Sequence, residues 1–363
     1  MTTENKKTID AIVALAKSLT KEEDEAERKK LLDTLRDVAY SLESPEDTMQ
    51  RIMFYNLQLA SIRVGIDLKI FEILSKSDIP MTVEQLAAKT ACAPVLLSRI
   101  LRYLASTATI KETGKDTFAG RGSSLFRLHR PSIPGPSRLP KRNPAWNTDM
   151  PAFIWVQTKP ENFAHFNNWM AVQRHGMPTW LDVYPFQDKV RAFNLTAETP
   201  LFVDLGGGLG HQCIALRERL PELSGRVILQ EIPATLPHAI AHEKVEHMAQ
   251  DFFQPQAMKG AKFYYLRNIL HDYHDEKCVL ILKNIIAAME KDSVILIDEM
   301  VLPNAGVHWQ AAQLDMTMMT ALASMERTKE QWYALMESAG LKINQIWTYT
   351  TSLQDSIIEA VPA

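Results

Sequence analysis

The chain has 363 residues, 46% of them hydrophobic, and a formal net charge of -3 at pH 7 with a pI near 6.4. This length and hydrophobic content suffice for a large buried core and predict two domains. The slight acidic balance argues against a general nucleic-acid binder, which would usually carry a basic excess.

The cysteines and the N-terminus indicate the compartment. Cys92, Cys213 and Cys278 are widely spaced and include no CxxC pair, so we predict neither a disulfide framework nor a zinc site. Residues 1–7 lack a long apolar core, and no segment is long and apolar enough to span a bilayer. We therefore expect a cytoplasmic protein without a membrane partner.

Two helical patterns open the chain, at residues 8–16 and 21–42. The second has an apolar stripe beside a charged face, which requires a packing partner. That partner is either the same domain or a second copy of the chain, and the sequence leaves both open. Residues 47–74 are dense in apolar side chains and predict buried helices broken near Gly65.

A winged helix is predicted next. Thr82 and Gln85 form a capping box, Pro94 opens a further helix, and a hairpin pattern follows at 110–118. In regulators this arrangement reads DNA. Here the second helix offers only Arg99 and Arg102 and the charges of the hairpin are balanced, so we expect no nucleic-acid partner.

Two segments of unusual composition follow. Residues 120–151 are rich in proline and basic side chains, with almost no apolar periodicity, and are interpreted as a loop or linker. Residues 153–186 are rich in aromatic side chains. That stretch is either helical core or the wall of a site for a flat, aromatic substrate.

A glycine-rich turn stands at the start of the C-terminal half. The apolar run 201–203 leads into Asp204 and then into glycines at every second position, including Gly206 and Gly208, before a helical pattern. The dinucleotide fingerprint would need its third glycine at His211 or Cys213. The spacing instead resembles the first motif of class I S-adenosylmethionine (SAM) methyltransferases.

The strands that follow predict a doubly wound α/β sheet. The next apolar run, 226–230, ends in Glu231, at the distance from the glycine turn where an acid that binds ribose is expected. Further strands are predicted at 245–248, 263–266, 294–297, 343–347 and 356–361. Ligands in such sheets bind beyond the carboxyl ends of the strands, where Asp204, Glu231, Asp251, His271 and Glu299 fall.

His271 ends the fourth strand of this sheet and Glu299 ends the next. Such a pair suits general-base catalysis, because the acid holds the imidazole tautomer while the other nitrogen takes a proton. The alternative is a structural histidine. The neighbouring acids and His274 match no zinc pattern, so we predict no metal and expect His274 at the surface.

Four segments together resemble the successive motifs of plant caffeic-acid-type small-molecule O-methyltransferases. They are DLGGGLG at 204–210, LHDY at 270–273, IDEMVLP at 297–303 and MERT at 325–328. The runs NILHD at 268–272 and NNWM at 167–170 are similar to the fungal secondary-metabolite branch. The resemblance covers nearly the whole chain.

The resemblance implies roles for individual residues. His271 matches the general base, and Glu299 and Glu326 match the acids that flank and orient it. The cofactor positions are Asp204, Gly206, Gly208, Glu231, Asp251, Phe252 and Arg267. The substrate-wall positions are Phe166, Met170 and Met318.

The predicted protein has an N-terminal helical and winged-helix dimerisation domain (1–120), a proline-rich linker with aromatic substrate-wall helices (121–190) and a Rossmann-like SAM-binding domain (191–363). The resemblance implies a homodimeric O-methyltransferase that acts on a phenolic or enolic hydroxyl of a small aromatic molecule. One rival is a SAM-binding enzyme of the same fold that catalyses pericyclic reactions. The other is a non-catalytic binding or regulatory relative.

Overall fold

The computed structural model describes residues 7, 9–14, 25–121, 150, 155–156, 158–163, 178–191, 193 and 195–363. The chain divides into two compact units, Met1–Asn56 and Leu57–Ala363. The domain boundaries expected at 120 and 190 stay predictions. No helix among the described residues is long and apolar enough to cross a membrane.

The first unit is helical where it is described. Residues 9–14 are helical, and α1 (Glu25–Leu42) and α2 (Pro45–Met53) follow. Ser44 and Asp47 form a reciprocal capping box at the start of α2. Several apolar side chains of this unit are exposed to solvent, and Leu42 is 80% exposed. Of the apolar stripe predicted here, Leu32, Val38 and Leu42 are exposed, whereas Leu31 and Leu35 are partly buried.

The second unit begins with α3 (Tyr55–Asp67), which starts two residues before the division, and α4 (Ile70–Ser75). The predicted break near Gly65 is present a few residues further on: Gly65 itself lies inside α3, packed against the ring of Phe71, and the chain turns at Lys69 with φ 58°. The predicted burial is wrong for Leu59, which is 70% exposed. Apolar density alone does not distinguish a core face from an exposed one.

The predicted winged helix is confirmed. Its elements are β1 (Met81–Thr82), α5 (Val83–Thr90), α6 (Pro94–Ser106), β2 (Lys111–Gly114) and β3 (Thr117–Ala119), with strand order β1-β3-β2. Thr82 and Gln85 form the expected capping box, and Pro94 opens α6. Arg99 and Arg102 are each only 8% exposed. Neither arginine of α6 therefore lies on the surface.

A seven-stranded sheet forms the centre of the C-terminal part. Its strands are β4 (Pro200–Leu205), β5 (Arg226–Glu231), β6 (Glu246–Ala249), β7 (Phe263–Arg267), β8 (Val294–Met300), β9 (Leu341–Thr348) and β10 (Asp355–Pro362). Their order is β6-β5-β4-β7-β8-β10-β9. Neighbours from β6 to β8 are parallel, whereas β10 is antiparallel to both β8 and β9. The Rossmann-like class is confirmed, with a mixed rather than an all-parallel sheet.

Helices and short 3-10 turns surround this sheet. The helices are α7 (Phe186–Arg191), α8 (His211–Arg219), α9 (Asp275–Ile286), α10 (Trp309–Leu322) and α11 (Lys329–Ala339). The turns are Trp180–Asp182, Leu236–His238 and Leu270–Asp272. Trp180 is fully buried and stacks on Phe202 with ring centroids 5.9 Å apart. This described end of the aromatic stretch is core.

Candidate active site

His271 lies in the 3-10 turn that follows β7, and Glu299 on the neighbouring strand β8 holds the backbone of that turn. Glu299 Oε1 accepts hydrogen bonds from the amides of Ile269 (3.0 Å), Leu270 (2.6 Å) and His271 (3.4 Å). Asn268 turns the chain out of the strand with φ 51°. The carboxylate therefore fixes the main chain of the turn.

The carboxylate on the imidazole ring belongs to Glu326. Its Oε1 lies 2.8 Å from His271 Nδ1, and Glu326 is only 3% exposed. The sequence predicts this contact for Glu299, and the structure gives it to Glu326. When Nδ1 donates its proton to Glu326, a neutral ring keeps Nε2 as its acceptor. Nε2 lies 3.4 Å from Asp272 Oδ1.

The surroundings of His271 change its proton affinity. Burial disfavours the imidazolium, but the carboxylates of Glu326, Glu299 and Asp272 outweigh burial and raise the pKa of His271 from 6.5 to about 10. Burial raises the pKa of Glu299 to about 7 and that of Asp272 to about 6, although the charge of His271 opposes both shifts. The free site therefore holds a proton on His271 at neutral pH.

Arg327 is a site residue that is not among the positions predicted from the sequence. Its guanidinium is 1% exposed and donates to the carbonyl oxygens of Leu270 (2.8 Å) and Tyr273 (2.9 Å), and to Asp275 Oδ1 (2.7 Å). Arg327 thus binds carbonyls of the turn whose amides Glu299 binds. The MERT motif contained this residue, but its burial could not be read from one sequence.

The glycine turn after β4 has the shape needed for a close-packed ligand. Gly206 has φ +66°, and a Cβ there would lie 2.8 Å from Ile269 Cδ1 and 3.2 Å from Phe252 Cε1. Gly208 has φ +60°, and its amide donates to Glu231 Oε2 at 3.1 Å. Only glycine takes these angles without strain. The structure therefore brings Gly206 together with Phe252, and Gly208 with Glu231.

Asp204 is buried beneath this turn. It is 1% exposed, and its Oδ1 has no hydrogen-bond partner among the described residues. Burial raises its pKa to about 7, and the thiol of Cys213, 3.7 Å from Oδ2, opposes that shift. An unpaired buried oxygen is costly and suits a site that gains a hydrogen-bond donor from its ligand. The strained glycines, this free acceptor and the acid at the end of β5 fit SAM.

The other two predicted cofactor residues are already engaged within the protein. Asp251 is exposed, and its Oδ1 accepts from the amide of Phe253 at 2.9 Å. Arg267 Nη1 donates to Asp298 Oδ2 at 2.9 Å, and Asp298 is 1% exposed. These bonds fix both side chains near the carboxyl ends of β6 and β7.

Of the predicted substrate-wall residues, Met318 lies among the residues that the structure describes. It is half-buried on α10, and its carbonyl oxygen accepts from the amide of Ser324 at 3.3 Å. Phe166 and Met170 lie outside the described residues. His274 is exposed at the start of α9, as predicted. Within the described ranges, no group of three or more His, Cys, Asp and Glu side chains could hold a metal.

Comparison with known proteins assigns the family. Residues 150–342 match the O-methyltransferase domain, and residues 50–123 match the O-methyltransferase dimerisation domain. The chain is 40% identical over 344 residues to demethylsterigmatocystin 6-O-methyltransferase of Aspergillus parasiticus, an alignment that covers 87% of this chain and 88% of that protein.

Two solved structures are similar along nearly the whole chain. The complex of LepI with SAM is 34% identical and has a TM-score of 0.59, with 99% of this chain and 100% of that chain covered. A structure described as a pericyclic reaction enzyme has the same identity and TM-score, with 98% of this chain and 100% of that chain covered.

The fold, the family models and the relative of known activity together define a SAM-dependent methyltransferase. The chain belongs to the O-methyltransferase family of the plant caffeic-acid type, in its fungal secondary-metabolite branch.

Proposed function

We propose that the enzyme methylates a phenolic or enolic hydroxyl of a small aromatic molecule, with His271 as the general base. The observation that carries the proposal is the 2.8 Å contact between Glu326 and His271 Nδ1. This contact fixes one ring nitrogen and leaves Nε2 to take the proton of the substrate.

The raised pKa of His271 brings the proton affinity of its neutral ring close to that of a phenolate. A phenol has a pKa of ~10 and free imidazole ~6.5, so in water the transfer costs about 5 kcal/mol. With the pKa of His271 raised to about 10, transfer from a phenol to the neutral ring is nearly balanced, and the ring becomes available as the base once it has lost the proton that it holds in the free site at neutral pH. Glu326, Glu299 and Asp272 together supply the negative field. His271 therefore acts by accepting the hydroxyl proton as the new bond forms.

SAM supplies the methyl group on a sulfonium, whose displacement requires no covalent help from the protein. We assign the cofactor site to Asp204, Gly206, Gly208, Glu231, Asp251, Phe252 and Arg267. Glu231 accepts hydrogen bonds at the end of β5, and Asp204 contributes a free buried oxygen. The remaining task of the protein is to hold the hydroxyl in line with the methyl group, and such positioning supplies several kcal/mol, about 7 at best.

Met318, with Phe166 and Met170, is proposed to line the substrate site. The homodimer is supported by the dimerisation domain at 50–123 and by exposed apolar side chains within it, such as Leu59. The expected absence of a nucleic-acid partner and the cytoplasmic location stay predictions.

A pericyclic activity is the second candidate, because a structure described as a pericyclic reaction enzyme is 34% identical over nearly the whole chain. The arrangement of Glu326 and His271 favours proton removal, which a pericyclic rearrangement does not require. The two functions differ in their products: methyl transfer releases S-adenosylhomocysteine in a 1:1 ratio with methylated product, and a rearrangement releases none.

The test incubates the enzyme with SAM and a panel of aromatic hydroxyl compounds, including demethylsterigmatocystin. Methylated product and S-adenosylhomocysteine are measured together by mass spectrometry. Equal yields of both support methyl transfer. Isomerised product without S-adenosylhomocysteine would replace the proposal with the pericyclic one.

A further inference from the structure

The buried arginine of the winged helix is joined to the catalytic carboxylate through one aspartate. Arg99 on α6 and Asp315 on α10 form a bidentate ion pair, with Nε to Oδ2 at 3.0 Å and Nη2 to Oδ1 at 2.7 Å. Arg99 Nη2 also donates to the carbonyl oxygen of Asp315 at 2.7 Å. Asp315 is 1% exposed and Arg99 8%.

The same aspartate holds the main chain of Glu326. Asp315 Oδ1 accepts from the amide of Glu326 at 3.0 Å. The segment that carries Glu326 leaves α10 through Ala323, which has φ 55°. On the other side of Glu326, the carbonyl of Arg327 accepts from the amide of Leu302 at 3.0 Å. Asp315 is thus the side-chain anchor on the α10 side of Glu326.

We propose that Arg99, on the winged helix, and Asp315, on α10, are positioning residues for methyl transfer. Together they set the position of the Glu326 carboxylate against His271. This inference rests on the proposed role of His271 as base. A planar guanidinium fixes both oxygens of Asp315 at once, which a lysine cannot do. The arginine at a position that could contact DNA in a regulator therefore serves the chemistry of the C-terminal part.

Charged groups surround both Asp315 and His271. Burial raises the pKa of Asp315, and the cations Arg99 and Arg102 oppose that rise. His271 is faced by Glu326, Glu299 and Asp272. If Asp315 loses its fixed orientation, the amide of Glu326 loses a fixed acceptor. The negative field on His271 then weakens because Glu326 can move away from Nδ1.

The test compares Arg99→Lys and Asp315→Asn with Arg217→Lys as the control. Arg217 is also a buried arginine, 7% exposed, but it donates to the carbonyls of Lys244, Leu223 and Gly225, which precede β5 and β6. We expect kcat to fall about 10-fold or more in the Arg99 and Asp315 variants. The ascending limb of their kcat–pH profile should move about one pH unit to lower pH. KM for SAM should change little.

Arg217→Lys should lower the melting temperature while it keeps the wild-type kcat and pH limb. If either single variant does not fold, the double variant Arg99→Met with Asp315→Leu removes both members of the ion pair together. It should show the same loss of kcat and the same shift of the limb.

Two results would overturn the inference in distinguishable ways. Wild-type kcat and an unmoved pH limb in the Arg99 and Asp315 variants, with only a lower melting temperature, would leave the ion pair a structural role alone. Undiminished turnover by His271→Ala, measured alongside, would instead show that His271 is not the base. The inference would then be wrong together with the proposed function.

Discussion

Glu326 Oε1 lies 2.8 Å from Nδ1 of His271, although 55 residues separate the two in the chain. The contact links the turn after β7 to the segment between α10 and α11. It orients the ring, favours the proton on Nδ1 when the ring is neutral, and contributes to the raised pKa of His271. These effects are testable in the pH dependence of turnover.

Glu326→Gln should move the pH profile in a defined direction. The carboxylate raises the pKa of His271, so a neutral amide lets that pKa fall and the neutral imidazole appears at lower pH. The ascending limb of log(kcat/KM) should move down by about one pH unit or more, and the plateau should fall because the base is weaker. The pH profile of the His271→Ala variant serves as the control, because it shows the titration of the substrate hydroxyl alone. A limb that stays in place or moves to higher pH would refute this role of Glu326.

Glu299 should act as an acceptor for the backbone of the turn. Glu299→Ala leaves three amides at residues 269–271 without their acceptor, at about 1–3 kcal/mol for each buried group. We expect the free energy of unfolding in urea to fall by at least about 3 kcal/mol and kcat to fall with it. Glu299→Gln keeps a carbonyl oxygen and should lose much less. Equal damage by Gln and Ala would show that the charge of Glu299 is what matters.

Arg327 and Asp275 form an ion pair whose partners should differ in importance. Arg327→Lys removes hydrogen bonds to buried carbonyls of the turn and should cost about 2 kcal/mol or more of stability, together with a loss of kcat. The side chain of Asp275 is 65% exposed, so Asp275→Asn should cost less than about 1 kcal/mol. Chemical unfolding and kcat are measured for both. Similar losses in the two variants would contradict the assignment.

Gly206→Ala should weaken cofactor binding by at least about 10-fold, since its Cβ would meet Ile269 and Phe252. Gly340→Ala is the matched control: Gly340 has φ +82°, and nothing lies within 4 Å of a Cβ there. Both variants should lose about 1–2 kcal/mol of stability from the left-handed backbone. Only Gly206→Ala should lose SAM affinity in calorimetry, and equal affinities would place the cofactor elsewhere.

Features set by local chemistry could be predicted from the sequence. The capping box at Thr82, the helix start at Pro94 and the turn at Gly206 each depend on a few adjacent residues, and the structure contains all three. The strand order at the edge did not follow from the alternation of elements, because β10 pairs antiparallel with β8.

The separate roles of the two glutamates in the site could not be predicted from the sequence. Glu299 and Glu326 are both acids of matching motifs, and only tertiary contacts show that one binds amides and the other the ring. The burial of Arg99 and Arg327 depends in the same way on partners far along the chain. Leu59 stands in an apolar pattern like that of the core residues around it, yet it is 70% exposed.

The central claim is that His271 removes the proton of the hydroxyl that is methylated. The most direct test is the rate of S-adenosylhomocysteine formation by wild type, His271→Ala and His274→Ala, with SAM binding measured for each. His274 is an exposed histidine three residues away and serves as the control. The account predicts a fall in kcat of about 10²–10⁴-fold for His271→Ala with SAM affinity unchanged, and wild-type turnover for His274→Ala. Wild-type turnover by His271→Ala would contradict it.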